Sequence, residues 1–317
     1  MRENPKPNSV VTVDCNYMMP QFAAAYLIVE CDRAAFVDNN TAFAVPLLID
    51  ALEARGLRPE QVEYAIITHL HLDHAGGTSA LLDRCPNAVV IAHPRAERHL
   101  IDPSRLVAGA KAIYGEAVFN ATYGTIEPVD PARVRTVQDG ETIEFGDRTF
   151  TFMHVLGHAR HHICIHDSGS DAVFTGDAFG EAYPFLQRGT KPFVEYCCAP
   201  PHFDPDEARS SVRRIVATGA DRVYLTHFGE VTPVDDAAEQ VLWSIGSMET
   251  ITNEAVAAEL AGDELAAFAE EGVRRSFATQ AANCGITLTD QDRQVLANDV
   301  FLNAQGIAYA AAKALGS

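Results

Sequence analysis

A ten-residue segment at positions 68–77, THLHLDHAGG, carries four residues of the kind that bind metal ions. They are His69, His71, Asp73 and His74, so three imidazoles and one carboxylate fall within six positions. These groups are the ligands that a borderline metal such as zinc prefers. His69 and His71 are two residues apart, so both side chains point to one side if the preceding strand continues through them. The segment therefore predicts a metal centre.

The rest of the chain offers three candidate partners for this segment, and each follows a predicted strand: His158, Asp177 and His227. Side chains on loops at strand ends commonly form functional sites because a rigid scaffold positions them. One metal ion with an open coordination position needs three protein ligands, and two ions need more, usually with a shared carboxylate. Water held between two such ions loses a proton near neutral pH, which makes hydrolysis the expected chemistry.

Alternating strands and helices must position these residues. Short β-rich runs predict strands at 10–13, 24–30, 34–37, 62–68, 88–92, 142–145, 149–155, 162–166, 172–175 and 222–226. Helical periodicity is present at 43–55, 76–86, 94–100, 103–120 and 206–218. The dipeptide Gly146-Asp147, between two alternating runs, predicts a hairpin. This mixture predicts an α/β (α+β) fold in which two sheets pack together with helices outside.

The C-terminal part of the chain has a different character. From about Asp235 it is rich in Ala, Glu and Leu and has few strand formers, which predicts three helices at roughly 235–260, 262–280 and 289–315. We therefore expect residues 1–233 to form the domain that carries the candidate ligands. Residues 234–317 are expected to form a helical extension that caps the site or mediates a homodimer.

Four motifs in a fixed order resemble those of the metallo-β-lactamase-fold hydrolases: THLHLDHAGG, LGHARHH, FTGDAFG and LTHFG. Within that superfamily the complete HxHxDH sequence is similar to the glyoxalase II-like and lactonase-like branch. The resemblance covers about residues 8–232. It implies a four-layer αββα sandwich as the catalytic domain. It also implies a metal-dependent hydrolase that uses a metal-bridging hydroxide to cleave a small ester, lactone or thioester.

The resemblance further implies two divalent metal ions, zinc first, with iron or manganese as alternatives. One ion is bound by His69, His71 and His158, the other is bound by Asp73, His74 and His227, and Asp177 bridges the two. Asp73 is the implied catalytic residue, because one carboxylate oxygen can bind metal while the other orients the nucleophile or passes on its proton. Asp38, which follows an early predicted strand, is implied to support the ligand segment.

The motif LGHARHH departs from the family pattern. The family usually has Gly-His-Thr-x-Gly-His, whereas positions 157–162 of this chain are GHARHH. Three histidines within five positions leave the choice of ligand open. His158 is favoured because it keeps the Gly-His context, and His161 and His162 are then expected to lie behind the ligands and support them.

The segment that follows Asp177 is rich in aromatic residues and predicts a substrate pocket. Its candidate residues are Tyr183, Phe185, Arg188 and Lys191. Packing of the loop is an equal alternative for the aromatic side chains. The Cys197-Cys198 pair, farther along the same segment, is expected to pack in the loop rather than to act as a nucleophile.

Composition limits the remaining options. The net charge is -19, from 43 acidic and 24 basic residues, so a nucleic acid would be repelled and a small-molecule substrate is expected. Seven cysteines without a CxxC pair, and no apolar leader in MRENPKPNSV, favour a cytoplasmic protein. No apolar run is long enough to suggest a membrane partner. Two alternatives on the same fold stay open: an iron-dependent oxidoreductase of the persulfide dioxygenase type and, against the charge, a nuclease.

Overall fold

The computed structural model describes residues 9–316. The start of the chain, where we expect no leader, lies mostly outside the described residues. The chain divides into two compact units. The first unit comprises the described residues up to His154, together with His161–Gly176 and Thr226–Glu230. The second unit comprises Val155–Arg160, Asp177–Leu225 and the described residues from Val231 onwards.

A mixed sheet in the first unit has six strands side by side in chain order: β1 (Ser9–Asp14), β2 (Ala24–Glu30), β3 (Arg33–Val37), β4 (Val62–Ile66), β5 (Val89–Ala92) and β6 (Val134–Thr136). The first three pair antiparallel, and a two-residue connection brings Glu30 opposite Arg33. The last four pair parallel. Every residue of β2 is buried, as expected of a strand that is covered on both faces.

Three helices of the first unit contact this sheet: α1 (Val45–Ala54), α3 (Thr78–Arg84) and α4 (Glu97–Ile101). A single helical turn, α2 (Leu72–Ala75), lies between the first two of them in sequence. In α1, Leu48, Ile49 and Leu52 recur at helical spacing and are buried in a core that includes Leu27 and Phe36 of the sheet. This apolar face is what holds α1 on the sheet.

Two further helices of the first unit, α5 (Ser104–Tyr114) and α6 (Glu116–Tyr123), pack around a separate small core. That core contains Leu72 of α2 together with Phe119 and Tyr123 of α6. No residue of α5 is fully buried. The pair is therefore held by a much smaller apolar cluster than the one beneath α1.

A second sheet contributes four strands to the first unit, side by side in chain order: β7 (Thr142–Phe145), β8 (Arg148–Val155), β9 (His162–Asp167) and β10 (Ala172–Gly176). The predicted turn connects β7 to β8, with Phe145 opposite Arg148. Gly146 in this turn has a φ of +63°, which glycine adopts readily. The two sheets face each other, because the rings of Tyr26 and Phe174 are 5.2 Å apart.

A buried ion cluster also joins the two sheets. Arg148 Nε is 2.9 Å from Glu30 Oε2, and Arg148 Nη1 is 2.6 Å from Asp167 Oδ2. All three side chains are buried. Charged groups tolerate this environment only when they are paired and hydrogen-bonded, so the cluster restricts how the sheets can slide over each other.

The second unit is mainly helical: α7 (Pro205–Val216), α8 (Val234–Ala257), α9 (Gly262–Asn283), α10 (Asp290–Val295) and α11 (Ala297–Leu315). Asp204 caps α7, because its side chain accepts hydrogen bonds from the backbone N–H groups of Asp206 and Glu207. One short strand of this unit, β11 (Arg222–Leu225), precedes α8, and a second, β12 (Gly229–Val231), begins in the part of the chain that belongs to the first unit.

The predicted α/β class, with two sheets and flanking helices, is confirmed. The sequence patterns did not predict the three-residue strands β6 and β12, since such short segments show no period. The last predicted helix is divided into α10 and α11 at Leu296. Among residues 9–316, no helix is both long enough and apolar enough to cross a bilayer.

Candidate metal centre

Asp73, His74 and His227 form a compact group of possible metal ligands within the first unit. One donor atom from each residue lies within 4.8 Å of the others. His227 Nε2 is 3.3 Å from Asp73 Oδ2, and His74 Nε2 is 4.0 Å from Asp73 Oδ1. Both histidines are buried, whereas the Asp73 side chain is 25% exposed. The group therefore offers two imidazoles and one carboxylate to an ion, and one side of it opens to solvent.

His74 is held in place by the buried carboxylate of Asp38. His74 Nδ1 is 2.8 Å from Asp38 Oδ2, which leaves Nε2 on the side of Asp73. The same carboxylate accepts hydrogen bonds from the Thr68 amide at 2.7 Å, the Thr68 hydroxyl at 2.9 Å and the Thr226 hydroxyl at 2.8 Å. A carboxylate on the far nitrogen fixes the orientation of an imidazole ligand and raises its basicity.

His227 is oriented by a backbone carbonyl. Its Nδ1 is 2.9 Å from the carbonyl oxygen of Phe22, in the connection between β1 and β2. The Phe22 ring also meets the His227 ring edge to face, with 5.7 Å between the ring centres. Both histidines of the group are thus bound through Nδ1, and each directs Nε2 to Asp73.

His69 and His71 lie beside this group in the first unit. Their ring centres are 4.4 Å apart, and those of His69 and His74 are 4.0 Å apart. His69 is fully buried and stacks on His162, with 4.7 Å between ring centres. His161 accepts a hydrogen bond at Nδ1 from the Leu70 amide at 3.3 Å. Of the three histidines in the GHARHH motif, the last two therefore lie behind the His69 segment.

The second unit brings His158 and Asp177 together. His158 Nε2 is 3.3 Å from Asp177 Oδ2, and His158 Nδ1 is 3.2 Å from the carbonyl oxygen of Cys197. Gly157 has a φ of +104°, and a Cβ atom there would lie 2.4 Å from the backbone of Ala208 in α7. Packing against α7 therefore requires glycine at position 157.

Donor chemistry makes both sets suitable for divalent metal ions. Each set combines imidazole nitrogen with carboxylate oxygen, the mixture that zinc, iron and manganese accept. His74, His227 and His158 all use Nδ1 for a contact with the protein, so their Nε2 atoms are the ones available to an ion.

The four residues predicted for a substrate pocket all lie in the second unit. Tyr183 is buried, donates a hydrogen bond to Glu181 Oε2 at 3.2 Å and stacks on Phe185 with 5.5 Å between ring centres. Arg188 forms an ion pair with Asp292 at 2.5 Å, and Lys191 Nζ is 3.7 Å from Glu239 Oε2. Both cations thus face acidic residues of the second unit. Their role in binding substrate stays a prediction.

The two adjacent cysteines of the second unit are buried thiols. Burial raises the pKa of Cys197 and of Cys198 well above the ordinary value for a thiol. Cys198 Sγ donates a hydrogen bond to Asn303 Oδ1 at 2.8 Å. A thiol that stays protonated is a poor nucleophile, which supports the prediction that the pair packs in the loop.

The sequence reasoning missed two threonines of the first unit. Thr68 precedes His69 and Thr226 precedes His227, and both hydroxyls bond to Asp38. The repeated Thr-His doublet was the signal that could have revealed them. Two tyrosines near Asp73, Tyr17 and Tyr123, were missed as well, and no local motif marks them.

Comparison with known proteins identifies the family of the chain. The model of the metallo-beta-lactamase superfamily matches residues 19–227. The chain is 34% identical over 119 residues to the human acyl-coenzyme A thioesterase MBLAC2, and the match covers 36% of this chain and 40% of that protein. It is 24% identical over 162 residues to hydroxyacylglutathione hydrolase of Photorhabdus laumondii, and this match covers 50% of this chain and 51% of that protein. The chain thus spans about half the length of these curated relatives, or less.

A solved structure extends the comparison to nearly the whole chain. The archaeal superfamily protein ST1585 from Sulfolobus tokodaii matches with a TM-score of 0.65 and 19% identity, over 94% of this chain and 98% of that one. At this identity the likeness shows the fold alone. The fold, the ordered motifs and the match over residues 19–227 together show that the chain belongs to the metallo-beta-lactamase superfamily.

Proposed function

We propose that this protein is a metal-dependent hydrolase that cleaves an ester or thioester at a two-metal centre. The observation that carries the proposal is the group of Asp73, His74 and His227, whose donor atoms lie within 4.8 Å of one another. The histidines are held from behind by Asp38 and by the Phe22 carbonyl. Ligands that are fixed in this way are typical of a resident metal site.

The proposed ligand assignment joins the two sets of residues. One ion takes His69, His71 and His158, the second takes Asp73, His74 and His227, and Asp177 is shared. The short distance between His158 and Asp177 supports the pairing of those two residues. When bound, the ions would polarise the carbonyl of the substrate and lower the pKa of a water molecule.

Asp73 is proposed to hold and orient the attacking water. Its carboxylate is the most exposed member of the ligand group, and it lies between the Nε2 atoms of His74 and His227. One oxygen can accept the proton of the water while that water attacks the acyl carbon. The buried histidines do not require protonation in this scheme, because they act as neutral ligands.

Thioesters are the favoured substrates among the predicted esters, lactones and thioesters. Two of the relatives described above are named for hydrolysis of a thioester or of a glutathione conjugate. The net charge of -19 argues against a nucleic acid. The substrate is therefore proposed to be a small molecule. Zinc as the metal, a homodimer through the helical extension and a cytoplasmic location stay predictions.

His71→Ala tests the proposal directly. We expect it to lower the metal content per chain and to reduce turnover of a thioester, ester and lactone panel by at least a thousandfold. His99→Ala, a partly exposed histidine on α4, is the matched control and should keep both metal content and activity. Metal is counted by mass spectrometry and turnover by product release. Full activity of His71→Ala would contradict the proposal.

The same metal count distinguishes the proposed hydrolase from the alternative, an iron-dependent oxidoreductase. Two zinc ions per chain with turnover of any ester or thioester support hydrolysis. One iron per chain, with oxygen consumption on a persulfide and no hydrolysis across the panel, would support the iron-dependent oxidoreductase instead.

A further inference from the structure

Two tyrosines of the first unit meet next to the proposed metal ligand Asp73. Tyr17 lies in the connection between β1 and β2, and Tyr123 ends α6. Their hydroxyl oxygens are 3.4 Å apart, and the Tyr17 ring is 6.3 Å from that of Phe22. Phe22 in turn contacts His227. A continuous series of side-chain contacts therefore links the tyrosine pair to His227 of the ligand group.

Both tyrosines lie near Asp73 because they pack on the small core that contains Leu72, the residue before Asp73. A phenol has an ordinary pKa of about 10, so it keeps its proton at neutral pH and can form hydrogen bonds as a neutral group.

An exposed apolar surface begins at the same tyrosine pair. We define the α5–α6 apolar surface as Met18, Ile113, Tyr114 and Val118, whose side chains are 65%, 77%, 46% and 54% exposed. Met18 follows Tyr17 in the chain, and the Tyr114 ring is 6.1 Å from the Tyr123 ring. Large apolar side chains gathered on a surface mark a site of interaction.

The corner between α5 and α6 is held in a defined shape. Lys111 Nζ is 3.1 Å from Glu116 Oε1 and lies over the Phe119 ring, 5.3 Å from its centre. On the inner side, the pair packs around Leu72, which precedes Asp73 in the chain. The exposed residues are therefore carried by an ordered pair of helices that is anchored next to the ligand group.

We propose that Tyr17 and Tyr123 bind the acyl half of the substrate, and that the α5–α6 apolar surface receives its hydrocarbon chain. This inference rests on the proposed function, which places the acyl carbon next to Asp73. From that position, the neighbouring surface of the first unit is the hydrogen-bonded pair of tyrosine hydroxyls followed by exposed apolar side chains. A hydroxyl of this pair suits an oxygen of the acyl group, and the apolar residues suit an extended chain. The substrates are therefore long-chain acyl thioesters or esters.

The double variant Ile113→Glu/Val118→Glu tests the chain site with little risk to folding, because both side chains are exposed. We expect kcat/KM for a dodecanoyl thioester to fall at least tenfold and that for a butanoyl thioester to change less than twofold. Phe301→Glu, at an exposed apolar position on α11, is the control and should leave both values unchanged. An equal fall for both substrates would overturn the proposal. A change from dimer to monomer in light scattering, without any effect of chain length, would overturn it too.

Tyr17→Phe and Tyr123→Phe test the hydroxyl donors while the rings are kept. We expect each to weaken binding of dodecanoate, the reaction product, at least fivefold in isothermal titration, with metal content unchanged. Tyr309→Phe, at an exposed tyrosine on α11, is the control and should bind as the parent protein does. Unchanged binding in both variants would overturn the role of the pair. Because this readout needs no turnover, dodecanoate binding without hydrolysis of any thioester would contradict the proposed function and leave this inference standing.

Discussion

His74 in the first unit and His158 in the second unit are held by different kinds of partner. In the first unit, His74 bonds to the side chain of Asp38, which also accepts three further hydrogen bonds from Thr68 and Thr226. In the second unit, His158 bonds to a backbone carbonyl and follows a glycine that is packed against α7. One arrangement depends on the chemistry of a single carboxylate, and the other depends on the path of the main chain.

This difference predicts different consequences of substitution. Loss of the carboxylate leaves several buried donors without an acceptor, so it affects the ligands and the core together. A change in the main-chain path of the second unit first affects packing, and the orientation of His158 follows from it. Measurements of the free energy of unfolding and of metal affinity on the same variants therefore distinguish the two arrangements.

Asp38→Ala should have the largest effect. It removes the acceptor of four buried hydrogen bonds, so we expect a loss of about 3 kcal/mol or more in the free energy of unfolding. Metal affinity should fall about 10- to 100-fold because His74 loses its support. Urea denaturation of the metal-free protein and competition with a chelator measure the two quantities. Asp32→Ala, on the exposed hairpin turn, is the control, and a wild-type metal affinity in Asp38→Ala would refute the role of the carboxylate.

Gly157→Ala should come next. The added Cβ would lie 2.4 Å from the backbone of Ala208, and the φ of +104° is unfavourable for alanine. We expect a loss of about 2 kcal/mol or more in the free energy of unfolding. Gly219→Ala is a matched control, because Gly219 also has a positive φ of +75° but no atom within 4 Å of an added Cβ. Equal losses in the two variants would show that backbone strain, and not contact with α7, makes the glycine necessary.

Glu195→Gln should change how stability depends on pH. Burial raises the pKa of Glu195 to about 8, its hydrogen bond from Ser244 lowers it and the charge of Glu181 raises it. The folded protein therefore holds a proton that the unfolded chain releases at a lower pH, so stability falls as pH rises from the ordinary glutamate pKa to about 8. The slope contributed by this group is about 1.4 kcal/mol per pH unit.

In Glu195→Gln we expect that contribution to disappear, so the curve of stability against pH becomes flatter between the two pKa values. Urea midpoints at a series of pH values measure it. Glu264→Gln, an exposed position on α9, should leave the curve as it is. A parallel shift of the whole curve in Glu195→Gln would mean that the residue stays ionised in the folded protein.

Arg188→Ala should have the smallest effect on stability. Its guanidinium pairs with Asp292 but its side chain is 38% exposed, and such pairs contribute about 1 kcal/mol or less. The variant also tests the predicted pocket. A several-fold rise in KM for a carboxylated thioester, with stability nearly unchanged, would support a role of Arg188 in substrate binding. An unchanged KM would limit the residue to its contact with Asp292.

Local sequence features predicted most of the fold. The hairpin at Gly146-Asp147 and the buried strands were predicted correctly, because turn residues and apolar runs act over short stretches. The candidate ligand segment could be recognised from its own sequence. Asp38 could be named only through the family resemblance. Three of its four hydrogen-bond partners could not be named, since two lie on a threonine 30 residues away and the third lies 188 residues away. Contacts of that range leave no local period.

The tyrosine pair shows the same limit. Tyr17 and Tyr123 are separated by 106 positions, and neither lies in a recognisable motif. Helix α2, a single turn, was likewise too short to predict from periodicity, although it carries Asp73 and His74. The ligand assignment itself stays a prediction for measurement of metal content. Local sequence motifs do not identify the distant residues that orient the candidate ligands.

The bond between Thr226 and Asp38 has a consequence for biosynthesis. It joins positions 188 residues apart, and His227 follows directly after it. A chain that grows from its N-terminus makes the HxHxDH segment early, but Asp38 lacks one donor and the ligand group lacks one imidazole until residue 227 has left the ribosome. On the proposed ligand assignment, the Asp73 group is therefore complete only after most of the protein has been synthesised. Metal loading would then follow translation of the ligand segment rather than accompany it.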